Sequence, residues 1–285
     1  MKRFVGPLLS LPATVWVIVL LFIPVGFIGA YSVNLMSLFP EEQGGLSTEK
    51  WREFVTGESP YLRLFGDSFM LATTVALVCV VLAFPLAYFL AKLAMKRRYL
   101  LLLLLTAPAL VSYLLRVIAW KVILGDEGVI NSFAFWTGLR AEGDPIPQLL
   151  YSRFAVMIIL IYGWLPFAAL PMYAVISNLD PAPVEAAVDL GSSRWGAFWR
   201  VTAPLSLPGV IAAFVAVFTP TLGEFIAPQL VGGTSTYLYG NAVSSLFGQD
   251  FDWRTGSVLA LFLFLFALVA LAILARVRLV KDLAT

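Results

Sequence analysis

Six long apolar stretches separated by polar segments set the frame of this chain: Leu11 to Val33, Phe69 to Leu93, Leu100 to Leu124, Ala155 to Ile176, Leu205 to Ile226 and Gly256 to Ala275. Each reaches the roughly 20 residues that a helix needs to cross a bilayer. The pattern predicts an all-α integral membrane protein with six transmembrane helices, and an even count puts both termini on one side. The first run follows Met1-Lys2-Arg3, and Gly29-Ala30 resembles a signal-peptidase site. That run is longer than the roughly 7–15 apolar residues of a signal peptide, so it is expected to stay as a span.

Between the runs lie three segments of one set. Asn34 to Ser68 is polar and acidic, with Glu41-Glu42 and Gly44-Gly45. Residues 125–153 hold a short interfacial helix at Asn131 to Leu139 ahead of a loop with Pro145 and Pro147, and Pro228 to Arg254 is rich in Gly, Ser and Thr. None is of domain size, so residues 1–285 read as a single transmembrane domain. Pro85, Pro108, Pro166, Pro171 and Pro220 fall inside the spans and free carbonyls there.

Composition agrees with the pattern: 60% of residues are hydrophobic and 13% charged, against about 45–50% and about 25% in soluble domains. Charge then fixes the orientation. If the N-terminus is cytosolic, the inner segments hold eleven basic residues, namely Lys2, Arg3, Lys92, Lys96, Arg97, Arg98, Arg194, Arg200, Arg276, Arg278 and Lys281, and four acidic ones. The outer segments hold six basic and twelve acidic residues. Short cytoplasmic loops retain Lys and Arg, which predicts N-in, C-in.

Residues that are missing narrow the chemistry. There is no histidine, which removes Ser/His/Asp triads, Cys/His dyads and nearly all zinc and haem sites. The single cysteine, Cys79, lies mid-span and serves packing. No Gly-x-x-x-x-Gly-Lys-Ser/Thr phosphate loop occurs, so ATP drive would need another subunit. No metal, cofactor or nucleic acid is expected, since the Lys96-Arg97-Arg98 cluster is what the orientation rule already requires.

The cytosolic segment at about 177–204 carries the strongest motif. Asp180-Pro181 gives a helix start, Glu185-Ala186-Ala187 continues it, and Gly191 is placed to end it in a left-handed turn. Ser192 and Ser193 can cap a second helix whose Trp195, Phe198 and Trp199 share one face. Glu185 and Asp189 lie four apart, a like-charge pair that suits a basic partner surface. Physical reading alone leaves two options: a docking element for another protein, or an amphipathic hairpin on lipid headgroups with Arg194 and Arg200 at its edge.

The run Glu185-Ala186-Ala187, three residues, Gly191, nine residues, then Val201-Thr202-Ala203-Pro204 resembles the EAA loop of binding-protein-dependent ABC import permeases. The family has Ile and Leu where this chain has Val201 and Ala203. The resemblance implies a type I permease fold in a bacterial inner membrane. It also implies that Glu185, Ala186, Ala187, Asp189, Gly191 and Arg194 couple the loop to an ATPase. Ser112-Tyr113-Leu114-Leu115-Arg116, Trp120, Leu124, Gly128, Asn131, Leu222-Gly223-Glu224-Phe225, Gly232-Gly233 and Asp252-Trp253 are similar to the B-type permeases of spermidine/putrescine transporters. That likeness implies a C-type permease partner, two cytosolic ATPase subunits, a periplasmic binding protein and a cationic polyamine as solute, moved by alternating access.

Glu224 is the one acid inside a predicted span, which makes it a functional candidate. It faces either Arg116, as a structural ion pair, or the solute, as a cation guide helped by Tyr113 and Trp120 through cation–π attraction. Other classes compatible with the spans are an ion-coupled carrier using Glu224, a permease for another solute, and a channel.

Overall fold

In a computed structural model the described residues, 2–37, 45–57, 59–93, 97–141 and 143–276, are helical wherever they are regular, with side chains described outside 2–14, 93, 235 and 274–276. Glu41, Glu42, Gly44, Lys96, Arg278 and Lys281, used above for loop character and orientation, lie outside the described residues, as do the side chains of Lys2, Arg3 and Arg276. The helices are α1 (Lys2–Ser32), α2 (Glu49–Thr56), α3 (Tyr61–Tyr88), α4 (Arg98–Thr106), α5 (Tyr113–Leu124), α6 (Val129–Trp136) and α7 (Arg153–Ser177), followed by α8 (Ala182–Asp189), α9 (Arg194–Ala197), α10 (Ala203–Leu205), α11 (Leu207–Leu222), α12 (Ile226–Val231), α13 (Tyr239–Gly248) and α14 (Trp253–Arg276).

Four helices are long and apolar enough to cross a membrane, and up to six spans result if each of two bent pairs counts as one. Two of the expected six spans would then each be a bent pair. The stretch Leu100–Leu124 breaks after a 3₁₀ turn, Ala107–Leu110, and the helices on either side meet at 88°. The second bent pair joins Arg194–Leu205 to Leu207–Leu222 at 57°, so the expected stretch Leu205–Ile226 is helical as α11 from Leu207 to Leu222. Prolines do not by themselves set these points. Pro166 and Pro171 sit inside an unbroken α7, while Pro108 lies in the 3₁₀ turn and Pro220 precedes the end of α11 by two residues. Pro85 lies inside α3, one turn before a π-turn at Phe89–Leu93.

The expected loops are also more helical than their polarity suggests. Residues 34–68 contain α2 and the first two turns of α3, and 228–254 contain α13. The short helix of the middle segment is α6, two residues ahead of the expected start. Asn131 explains its corner: fully buried, its Nδ2 donates to Gly125 O and its Oδ1 accepts from Ile146 N.

The chain divides into two compact units. One gathers residues up to Leu64 with Ala242–Val269. Its packing is aromatic, with Phe54 against Phe262 at 4.8 Å and Trp253 between Tyr31 and Phe247, each at 5.5 Å.

The other holds Phe65–Asn241 and the end of α14 from Ala270. Its core is α7 against α11 and α3, built largely on small side chains: Ala72, Ala76, Ala83, Ala155, Ala168, Ala169 and Ala213 are all fully buried. Small residues let backbones approach where lipid offers no hydrophobic drive to association. Cys79 is buried in the same core.

At Gly209 the approach of α11 to α7 is closest. A Cβ there would meet Val175 Cβ at 3.0 Å and Met172 Cα at 3.1 Å. Gly209→Ala is therefore expected to push the helices apart and cost about 1–3 kcal/mol. Gly26→Ala, whose added Cβ meets nothing within 4 Å, is expected to be neutral. Thermal unfolding of the detergent-purified variants checks the contrast.

Candidate functional site

Two helix breaks in the second unit define a cavity of about 350 Å³, lined by Tyr113, Arg116, Gly163, Trp164, Phe167, Pro220, Gly223, Glu224, Phe225 and Ile226. Tyr113 and Arg116 occupy the first turn of α5, immediately after one break, and Glu224 lies in the other, between α11 and α12. The volume falls within the usual range for small-molecule sites, roughly 300–1,000 Å³.

Glu224 is held by local geometry. Its N–H donates to Thr221 O, and its side-chain Oε1 accepts from the N–H groups of Ile226 at 2.9 Å and Ala227 at 3.2 Å, so the carboxylate caps α12. The following carbonyl, Phe225 O, accepts from Asn241 Nδ2 at 2.9 Å. Gly240 packs directly behind, where a Cβ would lie 2.6 Å from both Gly223 O and Glu224 O. Glu224 is buried, at 8% exposure; the backbone hydrogen bonds its side chain accepts fall on Oε1, and the Tyr113 side chain lies close to the carboxylate.

Arg116 lines the same cavity but forms no ion pair with Glu224; the ion pairs among the described residues are Lys50–Glu53 and Arg140–Asp144. Its guanidinium Cζ lies 5.6 Å from the centre of the Tyr113 ring. Three buried polar atoms of the lining have no hydrogen-bond partner: Arg116 Nε, Tyr113 Oη and Trp164 Nε1. The structure thus brings Tyr113, Arg116 and Glu224 together. Trp120 does not line the cavity; it packs edge-on against Tyr162 at 5.4 Å. Sequence reasoning passed over Trp164 and Phe167, although a Trp in the middle of a span is badly placed to be an interface anchor.

A second recess, of about 360 Å³, is formed at the 177–204 segment by Tyr88, Val184, Glu185, Val188, Asp189, Arg194, Phe198 and Thr202. Asp180 starts α8 by accepting from Ala182 N. At its other end Gly191 has φ +90°, with Gly191 N donating to Val188 O and Ser192 N to Ala187 O. This is the left-handed glycine cap that the sequence predicts. Glu185, Ala186, Asp189, Gly191 and Arg194 are exposed, as are Leu190 and Trp195, while Ala187 is half-buried. Ser193 caps α9 through Gly196 N, and Phe198 opens a π-turn, Phe198–Thr202. The Phe198 ring is edge-on to Phe84 and Tyr88 of α3 at 5.8 and 5.5 Å, and stacked on Trp195 at 5.6 Å.

Residues 80–285 match the family described as binding-protein-dependent transport system inner membrane component. The chain belongs to that family. It is therefore an inner-membrane permease subunit of an ABC importer, a class without an ATPase site of its own. The spermidine/putrescine transport system permease protein PotB of Escherichia coli (strain K12) is 38% identical over 197 residues, 69% of this chain and 70% of that protein. PotB of Haemophilus influenzae is 34% identical over 201 residues, 70% and 69% of the two chains. Among solved structures, a bacterial alginate ABC transporter in complex with alginate pentasaccharide-bound periplasmic protein aligns with TM-score 0.70 at 19% identity, over 98% of this chain and 96% of that one.

Two predictions follow from the caps. Glu224→Gln keeps an acceptor for Ile226 and Ala227, whereas Glu224→Ala removes it; the Ala variant is expected to be less stable than Gln by about 0.5–2 kcal/mol, read as a difference in thermal unfolding. At Gly191 a side chain meets nothing within 4 Å, so the cost of substitution is conformational. Gly191→Val is expected to lose transport with normal membrane insertion, and Gly191→Asn, tolerated at positive φ, to retain most of it. Uptake at equal membrane abundance checks both.

Proposed function

We propose that this chain translocates a polyamine, spermidine or putrescine, into the cytoplasm. The observation that carries the reading is a lone buried carboxylate, Glu224, among the aromatic rings of Tyr113, Trp164 and Phe167 in a cavity between two broken helices. A buried carboxylate beside π faces suits an alkylammonium, which gains a charge-assisted hydrogen bond and cation–π attraction together. The likeness to PotB proteins supports the same solute class. The fold alone does not, because the alginate transporter shares it and imports an acidic polysaccharide.

In this reading residues 1–285 act as one permease domain of six spans, N-in and C-in. It pairs with a C-type permease, two cytosolic ATPases and a periplasmic binding protein. Glu185, Ala186, Ala187, Asp189, Gly191 and Arg194 form the surface that docks on an ATPase. The exposure of Leu190 and Trp195 beside two carboxylates supports docking, since a protein groove would cover them. Closure of the ATPases on ATP would draw the hairpin inward and, through Phe198, the end of α3 with it.

The test is uptake of labelled spermidine by the assembled complex in vesicles, with ATP and the binding protein supplied. Glu224→Gln is expected to lower uptake by roughly 10- to 150-fold, the value of about 1.5–3 kcal/mol for a hydrogen bond to a charged group. Unchanged uptake in a stable Glu224→Gln complex would refute the cation-guiding role. Accumulation by this chain alone under an imposed pH gradient would refute ATP drive and favour an ion-coupled carrier.

A further inference from the structure

A positive charge inside a cavity meant for a cation needs a reason. Arg116 is not there to neutralise Glu224, because the two do not pair although they line one cavity of about 350 Å³. Its Nε is buried with no hydrogen-bond partner. Its guanidinium lies instead over the Tyr113 ring, Cζ at 5.6 Å from the centre. Its Nη1 also lies near Gly163, 3.7 Å from where a Cβ of that residue would stand. A cation seated on an aromatic face, in a cavity that also holds a carboxylate, has the chemistry of the solute itself.

We infer that Arg116 is a tethered rival of the solute: its guanidinium occupies the Tyr113 seat when the cavity is empty and competes with the incoming ammonium for it. This rests on the reading that alkylammonium groups enter this cavity. Glu224 has one oxygen committed to the α12 cap, so its other oxygen and the Tyr113 ring on which the guanidinium sits are what Arg116 and the solute share. A solute that takes the seat pushes a like charge aside. Its binding is thereby kept weak enough for release, as conduction through any selective site requires. Arg116 is thus a specificity-determining residue: it sets the retention of cations and favours solutes with a second ammonium that can stay clear of it.

The experiment uses the whole complex with its binding protein in lipid nanodiscs, trapped with vanadate, and measures retention of labelled spermidine; uptake in vesicles is measured in parallel. Arg116→Gln is expected to raise retention about tenfold, the order of one like-charge interaction across a partly wet cavity, and to lower the maximal uptake rate. Tyr113→Leu is expected to lower retention. A purely structural Arg116 would make retention and uptake fall together, and unchanged or weaker retention in Arg116→Gln overturns the inference. If Arg116→Gln does not assemble, Arg116→Lys carries the test, because it keeps the charge but gives up the planar stack. Retention is then expected to rise two- to threefold, and equal or weaker retention overturns the inference. Glu224→Gln separates the two readings. If it leaves spermidine retention intact, the polyamine reading itself fails; if it abolishes retention while Arg116→Gln changes nothing, only the rivalry fails.

Discussion

A membrane offers no water to a freed N–H or C=O, and each one left unpaired costs several kcal/mol, so a helix break at membrane depth survives only where protein groups or a wet cavity satisfy it. The break between α11 and α12 meets that constraint group by group. Glu224 N reaches back to Thr221 O, Oε1 of the same residue takes the first two N–H groups of α12, and Asn241 Nδ2 takes Phe225 O. Gly240 is glycine because the broken backbone passes too close for a Cβ. The carboxylate therefore has two jobs that share one side chain. One oxygen completes the backbone's hydrogen bonding, and the other gives the cavity its charge.

The 177–204 hairpin is held by different means. Its carboxylates and much of its apolar surface face outward, and it is tied to α3 by rings: Phe198 contacts Phe84 and Tyr88 at its back and Trp195 and Trp199 within the hairpin. Each such contact adds about 0.5–1.5 kcal/mol beyond burial, without the exact directionality of an ion pair. A joint of stacked rings tolerates small rotations while resisting separation. Both ends of it carry π-turns, at Phe89–Leu93 and Phe198–Thr202, the kind of local irregularity that often marks functional sites in helices.

What the sequence made legible follows from how local each cause is. The apolar stretches reflect a solvent preference summed residue by residue, so their existence and approximate positions are readable from hydrophobicity alone. Gly191 was readable because a helix stop depends on a few neighbours and a positive φ. The 88° break before Tyr113 was not, since Leu100–Leu124 reads as one mainly apolar run with a single proline. Pro166 and Pro171 leave α7 straight enough to remain one helix, whereas Pro108 and Pro220 sit beside breaks. Whether a proline breaks a membrane helix is decided by which groups can take the freed carbonyls, and those groups are distant in sequence. The same distance in sequence hid Trp164, Phe167 and Gly163 from the site, although Glu224 itself stood out as an acid in an apolar run.

The sign of the cavity cannot come from the scaffold, because broken helices present backbone dipoles of both signs. It comes from two side chains of opposite charge that line one cavity without forming an ion pair. Glu224 is anchored by the cap, so its charge is fixed in place. Arg116 hangs on a flexible stem over an aromatic face with Nε unsatisfied, so its charge can move. When the guanidinium swings away, the fixed carboxylate dominates and the cavity attracts cations; when it returns, the cavity is close to neutral and the attraction is spent. A pair locked together by hydrogen bonds would hold one potential throughout, and would serve neither capture nor release.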